Sequence, residues 1–260
     1  MRRRGPGPRL LSAGGGNRMW GKAHNAGPTV NEQTELPEIA AECHGVKIPA
    51  SPFLHEKRIE RINAAQYEGQ EMAGALHVVR PDDVVLEIGA GIGLVGAVIA
   101  ANAKPRAVHS FEANPELIPA IEALYAANGL DNISVRNAVL VSAPDRPETM
   151  TFHLHNSYLG SSLIAPKGRK SRAVEVPTES LSEVCAALKP TVLVMDIEGG
   201  ELDLLRHADL SGFRAVVLEF HPKAYGPDGM RECKSILRAS GIERIAGKSV
   251  RTVWTCARPD

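Results

Sequence analysis

Cysteine is scarce in this chain and scattered. The four, Cys43, Cys185, Cys233 and Cys256, form no CxxC pair. That spacing excludes a zinc-finger module and a dense disulfide framework, and it reads as reduced thiols in a cytoplasmic protein. Aromatic residues make up only 4% of the chain, too few for a base-stacking surface. Neither sign of charge is in excess, since 30 Lys and Arg balance 30 Asp and Glu. A neutral chain exerts no bulk attraction on nucleic acid or an anionic membrane, so no nucleic-acid partner is expected. Long apolar runs are missing too. The longest, residues 88–101, holds Gly89, Gly91, Gly93 and Gly96. It falls short of the roughly 20 apolar residues that a spanning helix needs, so no membrane insertion is expected.

What is present reads as a globular protein, with 43% hydrophobic and 23% charged residues in 260. The first stretch is rich in Arg, Gly and Pro, and its first acid is Glu32. Leu10-Leu11 is too little apolar core for a secretory signal, and Gly and Pro spoil an amphipathic transit helix. Residues 1–47 are therefore expected to form a flexible arm, with Met19 as an alternative start. Residues 48–260 are expected to form one domain.

In that domain apolar strands alternate with helical patterns. Residues 55–76 read as a helix, 84–88 as a strand, 94–102 as a helix, 107–112 as a strand, 116–128 as a helix and 133–137 as a strand. After a less regular middle, with strands at 149–155 and 173–176, alternation resumes. It gives helix 181–188, strand 191–197, helix 201–206, strand 215–220 and helix 230–240. The end reads as an antiparallel hairpin. This is α/β patterning: a Rossmann-like, doubly wound, mostly parallel seven-stranded sheet with helices on both faces.

The strongest motif is Val85-Leu86-Glu87-Ile88-Gly89-Ala90-Gly91-Ile92-Gly93. A strand runs into glycines and then a helix. Glycines let the backbone approach a ligand, and the helix start offers free N–H groups. Gly91-x-Gly93-x-x-Gly96 also fits a dinucleotide fingerprint, with Glu112 for the ribose. A carboxylate at Glu87 would repel a pyrophosphate and attract a sulfonium or an α-amino group. The pattern therefore suits S-adenosylmethionine better than NAD. Glu112 ends the second strand and can accept hydrogen bonds from a ribose diol. Asn137 and Ala138 end the third and border the adenine.

A second block, Val194-Met195-Asp196-Ile197-Glu198-Gly199-Gly200-Glu201, delivers two carboxylates to a strand end. Period-2 geometry would put Asp196 and Glu198 on one side, while Glu201 reads as a first-turn helix acid. His221 follows the next strand, and its ordinary pKa of about 6.5 suits a general base. Asp196 or His221 is expected to take the proton, with Glu198 beside them. His153 and His155 share a strand face without a third ligand, so no metal is expected. The basic loop 167–172 reads as solvated charge, with an anionic acceptor as the alternative.

Taken together, Tyr67-Glu68, VVLEIGAGIG, SFEANP, RNAVL, VEVPTESL, LVMDIEGGELDLL and VVLEFHP resemble the FkbM family of S-adenosylmethionine-dependent methyltransferases. The resemblance spans roughly residues 48–260. It implies methyl transfer to a hydroxyl of a sugar, polyketide or lipid-type small molecule. It implies that Glu87, Gly89, Gly91 and Gly93 hold the methionine part and Glu112 the ribose. Asn137 and Ala138 would lie at the adenine, Glu68 would approach from the preceding helix, and Asp196 and Glu198 would face cofactor and acceptor. One departure stands at Thr178-Glu179-Ser180-Leu181-Ser182, where the family often has an acid after Thr-Leu; it alters a helix cap, since Ser caps as well as Asp. The Asn/Asp-Pro-Pro-aromatic tetrapeptide of base-amino methyltransferases is absent, with DIEG in its place. An NAD-dependent oxidoreductase and an inactive methyltransferase-fold binding module remain as alternatives. A homodimer stays open.

Overall fold

The computed structural model describes residues 37–155 and 171–259. Its centre is a seven-stranded sheet built from β3 (Val84–Ile88), β4 (Ala107–Glu112), β5 (Ile133–Asn137), β9 (Val192–Met195), β10 (Ala215–Glu219), β11 (Glu243–Arg244) and β12 (Val253–Ala257). The order across the sheet is β11-β12-β10-β9-β3-β4-β5. Strands β10, β9, β3, β4 and β5 are parallel neighbours. β12 runs against both β10 and β11, so β11 points the same way as the other five. The expected α/β sheet with a closing hairpin is the sheet found.

Side-chain alternation explains the layering. Val85, Val108, Val192, Val194, Ala215 and Val217 share one core, and Leu86, Ile88, Leu193, Met195, Val216 and Leu218 share the other. Both faces of each central strand are therefore buried, as a sheet wrapped by crossover helices requires. α2 (Gly69–Val78) packs on β10 and β12 on the valine-rich face, together with α3 (Leu94–Val98) and α4 (Ile118–Ala127). α5 (Leu181–Leu188), α6 (Glu201–His207) and α7 (Pro222–Ala239) cover the other. Strand order reverses between β3 and β9, and the carboxyl ends there open the crevice where such sheets bind ligands.

Three segments differ from expectation. Residues 39–47 were assigned to the arm, yet β1 (Ile39–Cys43) and β2 (Val46–Pro49) form a hairpin. Ala41, Cys43, Val46 and Ile48 are buried in the valine-rich core, and the turn has His44 at φ 49° and Gly45 at φ 76°. The single helix expected over 55–76 is two, α1 (Glu56–Asn63) and α2. Left-handed backbone at Ala65 and Glu68 breaks it, which lets Tyr67 turn into the core. The middle of the chain forms a second small sheet of β6 (Val139–Val141), β7 (Thr149–His155) and β8 (Ser171–Ser180). Ser180 caps α5, accepting from the Glu183 N–H. Most of the basic loop 167–172 lies outside the described residues. No helix among the described residues is long and apolar enough to cross a membrane.

Candidate active site

A cavity of about 590 Å³ opens at the carboxyl ends of β3, β4 and β9. Of the residues expected to hold a cofactor, Glu68, Gly89, Gly91, Glu112, Ala138 and Asp196 line it, and Glu198 lines it beside them. Glu112 is central. Its Oε2 accepts from the Gly91 N–H at 2.8 Å and its Oε1 from the Asn114 N–H at 2.7 Å. The Ala113 N–H bonds it as well, and of the roughly four lone-pair sites of a carboxylate one remains open toward the cavity. Burial drives its pKa up to about 7 against the pull of those N–H groups.

Gly89 has no room for a side chain. A Cβ there would lie 1.8 Å from the Asp196 carbonyl oxygen, and its φ is +86°. Gly89→Ala is therefore expected to lower the unfolding midpoint and to weaken cofactor binding at least tenfold. Thermal unfolding and calorimetric titration check it, and unchanged values in both would contradict the close approach.

Three expected ligands do other work. Glu87 shares a strand face with Val85, so it points under the Gly-rich turn and away from the cavity. There Oε2 accepts from Ser110 Oγ and sits against Gly96, whose N–H also bonds it. Burial raises its pKa to about 7 despite these bonds. Gly93 begins α3 at φ 81°, where a Cβ would meet Ile121 Cγ2 at 2.8 Å, so its place is a packing contact. Asn137 spends its amide on the carbonyls of Glu112 (2.8 Å) and Ala113 (3.1 Å). It holds the backbone beside Glu112 and does not line the cavity.

The acid block and His221 meet, although β9 ends at Met195 and period-2 geometry stops there. Glu198 and Gly199 take left-handed backbone, φ 51° and 110°. His221 Nε2 lies 3.6 Å from Asp196 Oδ1 and 3.6 Å from Glu198 Oε2. Its Nδ1 lies 2.6 Å from Glu201 Oε1. Glu201 is fully buried and also accepts from the Gly199 N–H. The sequence reading took Glu201 for an ordinary first-turn acid and missed its hold on His221.

Burial works against charge on His221, but the Glu201 hydrogen bond and the Asp196, Glu201 and Glu198 charges raise its pKa to about 9. It keeps its proton at neutral pH, unlike the free base expected from an unperturbed value. Burial and then Glu219 push the Asp196 carboxyl well above the usual range, with His221 opposing. Burial and then Asp196 do the same to Glu68. Asp196 Oδ1 is buried with no hydrogen-bond partner.

These observations test the fit of the two nucleotides. Carboxyl groups crowd one part of the cavity; burial raises the pKa values of Glu112, Glu68 and Asp196, and neighbouring acids add to it at Glu68 and Asp196. A sulfonium and an α-ammonium offset that crowding of acids; a pyrophosphate would worsen it. The opposite wall is apolar, from Val139, Leu140, Val141, Met150 and Phe152. Residues 156–170 lie outside the described residues, and of 51–75 and 221–230 only Glu68 lines the cavity. β6, β7, the link between them and α6 supply the wall instead.

The chain matches the methyltransferase FkbM domain over residues 87–240. No curated protein matches it. Among solved structures it is similar to the precorrin-6y C5,15-methyltransferase of Geobacter metallireducens, at 13% identity and TM-score 0.43, over 74% of this chain and 89% of that one. It is also similar to the ribosomal protein L11 methylase of Lactobacillus delbrueckii subsp. bulgaricus, at 14% and 0.44, over 75% and 79%. A third is TYW2 of M. jannaschii in complex with AdoMet, at 14% and 0.38, over 83% and 81%. The chain belongs to the FkbM methyltransferase family and is an S-adenosylmethionine-dependent methyltransferase.

Proposed function

We propose that the chain methylates a hydroxyl group on a small metabolite, sugar or lipid-type acceptor. The observation that carries this reading is the Asp196 carboxyl group on the cavity wall, with the His221 imidazole 3.6 Å behind it. A hydroxyl must lose its proton as its oxygen attacks carbon, so a base within reach accelerates transfer. An acceptor hydroxyl set against the Asp196 carboxyl group would hydrogen-bond it and hand over that proton. His221 stands behind as a cation held by Glu201, stabilising the carboxylate. The apolar wall from β6 and β7 suits the carbon skeleton of such an acceptor.

Glu112, Gly89, Gly91, Ala138 and Glu68 would hold the cofactor. When bound, it supplies an electrophilic methyl group on a cationic sulfur. The protein's contribution is to orient the acceptor in line with that methyl group, to exclude water and to accept the proton; positioning provides much of the rate. Because the acids form the electrostatic complement of a cation, an inactive binding module has no use for them.

The test is side-by-side calorimetry with S-adenosylmethionine, S-adenosylhomocysteine and NAD, followed by labelled-methyl transfer to metabolite, protein and RNA fractions. The first two should bind, and Glu112→Ala should weaken both by about 10²-fold through the lost ribose hydrogen bond. Label should enter small molecules. Label confined to protein or RNA would overturn the acceptor assignment.

A further inference from the structure

We infer that Asp196, Glu219 and His221 form a divalent-cation site at the edge of the cavity, suited to Mn²⁺. One carboxylate oxygen from each acid and a ring nitrogen of His221 lie within 4.8 Å of one another. The topology places them there. Leu218 of β10 pairs with Met195 of β9, so Glu219 and Asp196 leave adjacent parallel strands side by side. His221 follows two residues on, before Pro222 begins α7.

The separation of His221 and Asp196 fits a shared ion rather than a hydrogen bond. Nε2 stands 3.6 Å from Asp196 Oδ1 and 3.6 Å from Glu198 Oε2. These are too long for hydrogen bonds. Donors each about 2.1 Å from a shared ion stand roughly 3.0–3.6 Å apart. Asp196 Oδ1 is one of two buried oxygens without a hydrogen-bond partner among the described residues, the other being Glu201 Oε2, and it faces this gap.

The ring orientation is a second, independent sign. Nδ1 is bound by the fully buried Glu201 at 2.6 Å. With Nδ1 turned to Glu201, Nε2 is aimed at Asp196 and Glu198. A buried carboxylate on the far nitrogen is the arrangement that orients a metal-binding imidazole. Charge agrees as well. Glu71, buried on α2, hydrogen-bonds Glu219. Among the described residues no Lys or Arg pairs with Glu71, Asp196, Glu198 or Glu219; the ion pairs there go to His221. Two carboxylates, one imidazole and no thiolate select a borderline-hard ion such as Mn²⁺. His153 and His155 on β7 take no part; the candidate set lies where β9 and β10 end.

A cation here would take the place of the Nε2 proton and sit where an acceptor hydroxyl could reach it. Asp196 is then a ligand, and Glu198 Oε2 is the carboxylate left to take a proton. That role rests on the hydroxyl-acceptor reading; binding of the ion does not.

The experiment uses the full chain, stripped with EDTA and freed of chelator. Mn²⁺ is titrated in, and free Mn²⁺ is read by electron paramagnetic resonance. The wild type should bind one ion per chain with submillimolar affinity. Glu219→Gln and His221→Ala should each weaken it by about tenfold or more. Glu219 does not line the cavity, so Glu219→Gln should bind S-adenosylhomocysteine as the wild type does, which controls for folding. Should that variant misfold, Glu219→Asp, which shortens the arm and keeps the charge, carries the same comparison. No binding of Mn²⁺, Mg²⁺ or Zn²⁺ by the wild type, or affinity unchanged in the variants, would overturn the site. Full methyl transfer by metal-free protein would overturn its role and leave hydroxyl methylation standing. Tight Mn²⁺ binding with label entering no hydroxyl would do the reverse.

Discussion

Asp196→Asn is expected to cut turnover by about 10²–10⁴-fold, the range for losing a positioned base, while S-adenosylhomocysteine still binds. Asn keeps the shape of the side chain and removes both its charge and its capacity to take a proton. Its Oδ1 lies 3.6 Å from the His221 ring nitrogen, and Glu198 Oε2, as far from the same nitrogen, is the group that would carry any residual transfer. The loss should appear in kcat rather than KM, because an acceptor can still hydrogen-bond the amide. Single-turnover transfer of labelled methyl, with calorimetry on the same preparation, measures both. Turnover within a few-fold of wild type would remove Asp196 from the chemistry. In the metal-loaded form the same substitution also removes a ligand, so the fall should deepen when Mn²⁺ is present.

How far the sequence foretold this site depends on whether each signal is local. The Gly-rich turn, Glu112 and the DIEG block were legible because a strand end, a glycine and an acid within a few residues define a crevice by themselves. The sheet was legible for the same reason, through unbroken runs such as Val192–Met195. Glu201 was not. At a helix start an acid is ordinary, and only His221, brought in by the next strand, makes it a buried partner. Nor does a sequence sort glycines by purpose. Gly89 is required by a neighbouring carbonyl and Gly93 by Ile121, and both read alike in the motif. Glu87 fits the family pattern but turns to the core because its strand is still alternating. The hairpin before residue 50 did carry a signal, alternating Ala41, Cys43, Val46 and Ile48 around His44-Gly45. It was overlooked beside the Gly- and Arg-rich stretch that precedes it.

The largest expected effect on stability lies at the opposite end of the sheet. Arg214→Ala should cost about 3–5 kcal/mol, the range for stripping one partner from a buried ion pair. Asp83, 2% exposed, precedes β3. Its carboxylate accepts from Arg214 Nε at 2.9 Å, Thr191 Oγ1 at 2.7 Å and the Arg80 N–H at 2.6 Å, and it also meets Arg214 Nη2. Arg214 further donates to the Val78 carbonyl at 2.6 Å. One knot thus ties the end of α2 to the starts of β3, β9 and β10. Burial alone would raise the Asp83 pKa, but the Arg214 and Thr191 bonds win and hold it below its ordinary value. A carboxyl depressed in the folded state stabilises above its unfolded pKa, and that stability is lost as pH falls through the folded one. Glu87 and Glu112, raised to about 7, act in the other direction. Their contribution is present below about 4.5 and is lost as pH rises toward 7. The cofactor-free protein should therefore be most stable at mildly acid pH, weakening below about pH 4 through Asp83 and toward pH 7 through the two glutamates. Urea midpoints at pH 3.5, 5.5 and 8 measure both limbs. In Arg214→Ala the deficit should be full at pH 5.5 and shrink in acid, where Asp83 is neutral and no charge is left stranded. A deficit independent of pH would mean that Arg214 acts through its bond to Val78 and its packing, not through Asp83.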